Sequence, residues 1–341
     1  MRYYYGLDTL RASMMLLGIF IHAALFVNYT NFTYKSVHGN SDLITMSVYF
    51  FSLFRMECFF ILCGFLACMI FEKKDKKYFL KNRLDRVAIP LVSSLLVFTL
   101  FPTIINGDNL DLSVGHLWFL ITLLILSAIT AIDKVRDFFN QKKIKPLLFI
   151  ASLIIYSIWM VITYLQSNIE ENLNFFITQL ISLPLYYSMF YFLGFMLYNQ
   201  KNIEVISSKL TILIISAITF SISSVYLYYK KYAMNNIGII EQLIKTYSDF
   251  FCGLSISLVL IIIMLKHSKS NKIINFLKDS SLVIYVSHFS ILGAIAPIVD
   301  KYTNSVYTFY FLICFLTFLI STAIYLIFKK FYLTRLMFGI R

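Results

Sequence analysis

Apolar runs as long as a bilayer is thick recur from one end of this 341-residue chain to the other, and no other feature limits its fold as strongly. A helix rises 1.5 Å per residue, so about 20 apolar residues cross a hydrocarbon core of about 30 Å. Ten such runs can be read, at roughly 8–29, 43–71, 87–106, 116–132, 147–165, 175–198, 210–229, 240–265, 281–299 and 306–328. Only 14% of the residues are charged and 59% are hydrophobic, whereas a soluble globule carries far more charge on its surface. Inside lipid, each backbone polar group must be satisfied within its own segment, which a helix does. The expectation is an all-α polytopic membrane protein of about ten transmembrane helices, one integral-membrane domain over 1–341. The first run is long and has no small-residue cleavage site behind it, so it reads as a span and not as a signal peptide.

The net charge of +13 invites a nucleic-acid reading, and the position of the charges argues against it. With the ten runs as spans, 24 of the 30 Lys and Arg fall in alternate loops and the two tails. The segment 72–86 (EKKDKKYFLKNRLDR) alone holds seven. Four Lys fall on the other side. Positive loops stay in the cytoplasm, so both termini are expected there, and the bilayer is the chain's bulk partner. No nucleic-acid partner is inferred. Of the five Cys, Cys58, Cys63 and Cys68 are five apart. That spacing turns about 140° per step around a helix and cannot converge on one ion. They read as small apolar packing residues, and no metal site is expected.

The first run, "LDTLRASMMLLGIFIHAALF", carries Asp8, Arg11 and His22. Ionisable groups in a span call for a function or a partner. Asp8, Arg11, Met15, Gly18 and His22 follow 3, 4, 3, 4 spacing and share one helix face. Arg11 and His22 are three turns apart, about 16 Å. The stripe reads either as a polar route into the membrane or as a packing seam. In the second run, "FRMECFFILCGF" holds Arg55 and Glu57, which point away from each other at a spacing of two. Glu57 lies at a depth similar to His22, so a carboxylate could fix the imidazole's tautomer. Pairing with Lys245 or with neighbours of Arg55 is the alternative.

Arg83 and Arg86 in "KNRLDRVAIP" are three apart and share a helix face. Two guanidinium forks side by side suit phosphate better than ammonium groups do, and ordinary positive-inside charge is the plain alternative. "GHLWFL" places His116 and Trp118 at an outer boundary, with Asp108 and Asp111 before them. Such a set could hold a sugar, and an interfacial aromatic belt explains it as well. "DSSLVIYVSH" puts Ser281, Tyr285 and His288 on one face. Lys245 and Asp249 are four apart and can neutralise each other, a structural pair.

Together, "LDTLRASMMLLGIFIHA", "FRMECFFILCGFLA", "KNRLDRVAIPL", "GHLWFL" and "LVIYVSH" resemble acyltransferase family 3, integral-membrane O-acyltransferases of surface glycans. The start and the "HLWFL" stretch look most like the branch containing periplasmic-glucan succinyltransferases. The resemblance implies a cytoplasmic acyl-CoA donor (acetyl-CoA or succinyl-CoA), an extracytoplasmic carbohydrate acceptor and a bacterial inner membrane. It implies that His22 is the essential histidine, that Arg11 is its paired arginine, and that Arg83 and Arg86 meet the donor. Relatives often carry Ser-Gly after their phenylalanine pair, where this chain has Cys63 and Gly64.

Acyl transfer from a thioester to a hydroxyl needs a base for the alcohol proton and a donor for the oxyanion. The residues therefore sort into an expected catalytic set, His22 as general base or transient acyl carrier with Arg11, Glu57 and Asp8, and a donor-binding set, Arg83, Arg86 and Arg11. His116, Trp118, Arg55, Tyr285 and His288 are the expected acceptor-binding set. A transporter or flippase of a lipid-linked sugar is the rival class. The chain shows no internal repeat of the kind such folds use.

Overall fold

The computed structural model describes residues 5–28, 34–100, 114–140, 146–166, 169–234, 237–266 and 271–340. Among these, every regular element is helical. In chain order the helices are α1 (Tyr5–Ala23), α2 (Leu25–Asn28), α3 (Asp42–Lys73), α4 (Lys76–Arg83), α5 (Ile89–Ser94), α6 (Trp118–Thr130), α7 (Asp133–Asn140) and α8 (Pro146–Gln166). They continue with α9 (Glu171–Ile177), α10 (Leu183–Leu197), α11 (Gln200–Ser207), α12 (Leu210–Met234), α13 (Ile239–Leu265), α14 (Lys272–Lys301), α15 (Val306–Phe328) and α16 (Tyr332–Met337). Wider π-type turns (i→i+5 bonding) occupy Leu84–Ala88, Leu95–Leu100 and Thr178–Ser182.

Among the described residues, seven helical stretches are long and apolar enough to cross a membrane. They are Tyr5–Val27, Asp42–Lys73, Leu173–Leu197, Leu210–Ala233, Ile239–Leu265, Lys272–Lys301 and Val306–Phe328, and each overlaps an expected span. An eighth, Gly115–Thr130 with Asp133–Phe139, bends by 91° at its break. The remaining two expected spans differ for local reasons. The run at 87–106 is split by π turns and extends past Leu100 outside the described residues. The run at 147–165 forms α8, Pro146–Gln166, of which Ile150–Gln166 is the part counted as an apolar helix. Among the described residues seven or eight stretches qualify, where ten are expected.

The chain divides into two compact units, and the division falls inside α3, between Cys58 and Phe59. The first unit holds 1–58, 96–110 and 210–341. Its core joins α1, α14 and α15 through Ile19, Ala23, Ile284, Leu292, Phe309 and Ile313. In lipid, the tails are as apolar as leucine, so close fit and hydrogen bonds carry such packing. The Tyr310 phenol donates to the Phe20 carbonyl at 3.0 Å, just before the break that separates α1 from α2. On the other side of the unit, α13 meets α3 at Gly253. A Cβ there would lie 3.1 Å from Glu57 Cγ and closer still to the Leu53 carbonyl oxygen.

Beyond α2, buried Asp300 (4% exposed) gathers the 34–38 segment. It accepts the Tyr34 hydroxyl at 2.5 Å, the Ser36 hydroxyl at 2.7 Å and the Val37 N–H at 2.9 Å. His38 Nε2 lies 3.3 Å from the same carboxylate. Burial first, then the hydrogen bond to Asp300 and its charge, push the Tyr34 phenol up to about 12. The Ser36 N–H returns to the Phe26 carbonyl at 2.8 Å, which ties this knot to the end of α2.

The second unit holds 59–95 and 111–209. Its centre is a crossing of α3 and α10 with glycine on both sides. A Cβ on Gly64 would fall onto the Tyr191 carbonyl, and one on Gly194 onto the Ile61 carbonyl. The two backbones touch there, as small residues allow in membrane helices. Buried Cys63 and Cys68 flank the crossing and form no disulfide, consistent with packing roles.

Candidate active site

Within the first unit, the polar stripe of α1 forms as its spacing requires. Arg11 Nη2 lies 3.5 Å from Asp8 Oδ1 one turn away, and both are partly exposed. Gly18 is buried further along the same face. A Cβ on it would meet Arg55 Nη1 and Tyr285 Cε2, each at 2.8 Å. The glycine therefore opens the space that Arg55 of α3 and Tyr285 of α14 fill. The Arg55 guanidinium stands 5.8 Å from the Tyr285 ring centre. Both side chains are almost fully buried, so this cation is held by a glycine notch and an aromatic ring.

His22 lies one turn beyond Gly18, in the last turn of α1. Its ring centre is 5.1 Å from that of His288 on α14, at a tilt of 44°. The Phe289 ring meets it edge-on at 5.5 Å. His288 is fully buried and its ring centre is 5.0 Å from that of Tyr285. The His288 Nδ1 bonds the Tyr285 carbonyl oxygen. A carbonyl oxygen only accepts, so Nδ1 carries a hydrogen. Tyr285 and His288 do share a face with Ser281, and all three are buried.

Glu57, 5% exposed, packs its side chain against Gly253 of α13. Of its expected alternatives, Lys245 has a partner of its own. Its ammonium lies 2.7 Å from Asp249, which also accepts the Tyr49 hydroxyl at 2.7 Å. The Lys245 ammonium also stands 5.0 Å from the Tyr49 ring centre. This set is a closed structural network, as its i,i+4 spacing foretold.

The second unit holds the other expected residues. Arg83 ends α4 and Arg86 lies in the π turn that follows. The wider turn rotates the two guanidiniums away from the register of an unbroken α-helix. Arg83 stacks on Phe79, 4.9 Å from the ring centre. Its Nε and Nη2 are buried and meet no hydrogen-bond acceptor among the described residues. Tyr191 is near enough for the guanidinium charge to act on its phenol. His116 is buried in the short 3₁₀ turn Gly115–Leu117 that opens α6. Trp118 stacks with Tyr187 at 5.2 Å and with Phe60 at 6.4 Å. Tyr187 continues to Tyr186, whose ring lies 4.6 Å from that of Trp159. Asp108 and Asp111 lie outside the described residues.

Two features were missed by sequence reading. The nearness of His22 to His288 depends on how α1 packs on α14, which no local pattern encodes. The Asp300 knot joins residues 263 to 266 positions apart. Its signal was a lone Asp just past the end of an apolar run.

Comparison with known proteins adds the lineage. An acyltransferase-domain family model matches residues 4–326. Among curated proteins, glucans biosynthesis protein C of Salmonella typhi is 30% identical over 149 residues, 37% of this chain and 38% of that protein. The same protein of Salmonella typhimurium matches equally. The chain thus spans less than half of the length of the curated relatives it matches. No solved structure matches. With the family model covering nearly its whole length, the chain belongs to acyltransferase family 3, helical membrane proteins of acyl transfer.

Proposed function

We propose that this protein is a membrane O-acyltransferase that moves an acetyl or succinyl group from cytoplasmic acyl-CoA to a hydroxyl of an extracytoplasmic glycan. The observation that carries this reading is His22 within a buried set of His288, Tyr285 and Arg55, in a chain of this family. The name of the relatives, glucans biosynthesis protein, supports a glucan as the acceptor. The skew of Lys and Arg, 24 against four, supports cytoplasmic termini and ten crossings in a bacterial inner membrane.

The chemistry follows from the residues. His22 takes the proton of the acceptor hydroxyl as its oxygen attacks the thioester carbonyl carbon. The carbonyl becomes an oxyanion, which Arg55 can stabilise as a fixed cation. Collapse breaks the carbon–sulfur bond, and the CoA thiolate takes the proton back from His22. The products are an ester and free CoA. His22 sits at the C-terminal end of α1, where helix carbonyls favour the transient imidazolium. Arg83 and Arg86 are assigned to the donor's phosphates, and Arg11, beside Asp8 at 3.5 Å in the first unit, keeps its own expected donor role. The buried Arg83 nitrogens suit a phosphate oxygen. Trp118 and His116 are assigned to the acceptor sugar.

The deciding experiment is release of CoA thiol by purified protein given acetyl-CoA or succinyl-CoA and a glucose oligosaccharide, beside His22→Ala. Release that depends on His22 and rises with pH, as the imidazole loses its proton, supports the reading. Release unaffected by His22→Ala overturns it. A protein that releases no thiol with either donor, but moves a lipid-linked sugar across vesicles, is a transporter instead.

A further inference from the structure

The His288 imidazole lies next to that of His22 yet is buried too deeply to be an ordinary sugar ligand. Its Nδ1–H is committed to the Tyr285 carbonyl. A neutral imidazole protonated at Nδ1 keeps its lone pair on Nε2. The ring of His22 lies at 5.1 Å between centres, a separation from which ring rotation brings a nitrogen of each within hydrogen-bonding reach. The Phe289 edge and the Tyr285 ring wall the pair. Two neighbours of the Tyr285–His288 turn hold it in place. Gly18 leaves room for the Tyr285 ring, and Arg55 stands over that ring.

We propose that His288 is a positioning residue for His22: its Nε2 accepts the N–H of the His22 imidazole. This deepens the acyltransferase reading and rests on it for its catalytic meaning. The bond fixes which His22 nitrogen carries the hydrogen and leaves the other as the lone pair that takes the hydroxyl proton. A carboxylate performs this office in serine hydrolases. Here the acceptor is neutral, so no second charge enters the membrane interior. His288 gives up no proton in the cycle. The proton taken by His22 goes to the CoA thiolate. Other ionisable groups on the helices around His22 include Asp8 and Arg11 on α1, Arg55 and Glu57 on α3, the Lys245–Asp249 pair on α13, Tyr285 on α14, and Tyr310 and Cys314 on α15.

The chain has only five histidines, so ring-¹⁵N histidine labelling of the full-length protein in detergent yields a spectrum assignable by single substitution. The expected wild-type result is His22 in one tautomer, with the His288 Nε2 signal moving as His22 titrates. In His288→Ala, His22 should divide between two tautomers, and in His288→Gln, whose amide oxygen can also accept, it should return to one. In the CoA-release assay, His288→Ala should lower kcat about 100-fold with both KM values unchanged, and Gln should recover about tenfold of that. A His22 tautomer unchanged in His288→Ala overturns the proposal. So does a raised acceptor KM at unchanged kcat, which would make His288 a substrate ligand. Should the alanine variant not fold, a wild-type His288 signal that ignores the His22 titration overturns it equally. The spectra need no substrate. Failure of the acyltransferase reading therefore appears separately, as absent thiol release by wild type.

Discussion

Gly18→Ala should separate stability from activity. The new methyl carbon would lie 2.8 Å from Arg55 Nη1 and 2.8 Å from Tyr285 Cε2, with Tyr285 Cδ2 at 3.2 Å. Ordinary contact begins at 3.4 Å, so each neighbour must retreat by about 0.6 Å. The guanidinium end yields readily, while the Tyr285 ring is 2% exposed and has little free space. Overpacking of this kind costs about 1 kcal/mol at the mild end of its range. Replacing glycine inside a helix returns about 0.5–1 kcal/mol of conformational entropy. The two nearly cancel, so the unfolding midpoint should move by no more than a few degrees. Activity has no such compensation. Displacing Tyr285 shifts the turn that carries His288 and so the partner of His22. A misplacement of 1 Å can lower a rate by about 100-fold, and 0.6 Å should lower kcat by about 10-fold or more. The midpoint is read with a thiol-reactive dye, since all five cysteines are buried and none is in a disulfide, and kcat from CoA release. Activity within twofold of wild type refutes the reasoning. Activity lost only in proportion to folded protein refutes it too, because the effect would then be stability alone.

The remaining predictions concern other parts of the molecule. Gly64→Ala forces a methyl carbon onto the Tyr191 backbone carbonyl, where no side chain can step aside. It should lower stability by about 3 kcal/mol and speed dye labelling of neighbouring Cys63. Arg83→Ala should raise the donor KM about tenfold or more and leave the acceptor KM unchanged, measured by CoA release over both concentrations. Equal loss for both would count against a donor role. Asp300→Asn weakens the bonds of Tyr34, Ser36 and Val37 to a buried carboxylate and should cost about 2–3 kcal/mol by thermal unfolding. Tyr34→Phe should show a pH-dependent version of that loss. The folded phenol is pushed up to about 12, above the ordinary value near 10. Its contribution is therefore complete below about pH 10 and fades as pH rises towards 12. A Tyr34→Phe penalty that grew with pH would contradict the bond's direction.

Helix positions were legible because membrane length and backbone satisfaction act locally, within one run of residues. The seven long stretches overlap seven expected spans for that reason. The face carrying Asp8, Arg11, Gly18 and His22 was legible through helical periodicity, as was the Lys245–Asp249 pair. Where a local rule has no residue signature, reading failed. The π turn at Leu84–Ala88 changes the hydrogen-bond step without requiring a particular side chain, so Arg83 and Arg86 were assigned an α-helical register. The 91° bend after Thr130 likewise follows no proline or glycine pair at that point.

The site itself lay between these cases. An ion or imidazole in a span announces that something must satisfy it, because hydrocarbon offers nothing. It does not announce what. Arg55 could have met any carboxylate, and instead it stands over the Tyr285 ring, in a notch left by Gly18. His22 invited a carboxylate partner, and its ring lies beside another imidazole. A neutral ring orients the base and lets the proton leave. In the mechanism we propose, His22 of the first span takes a proton and gives it back within one cycle, and Gly18 on the same face is what gives the neighbouring rings their place.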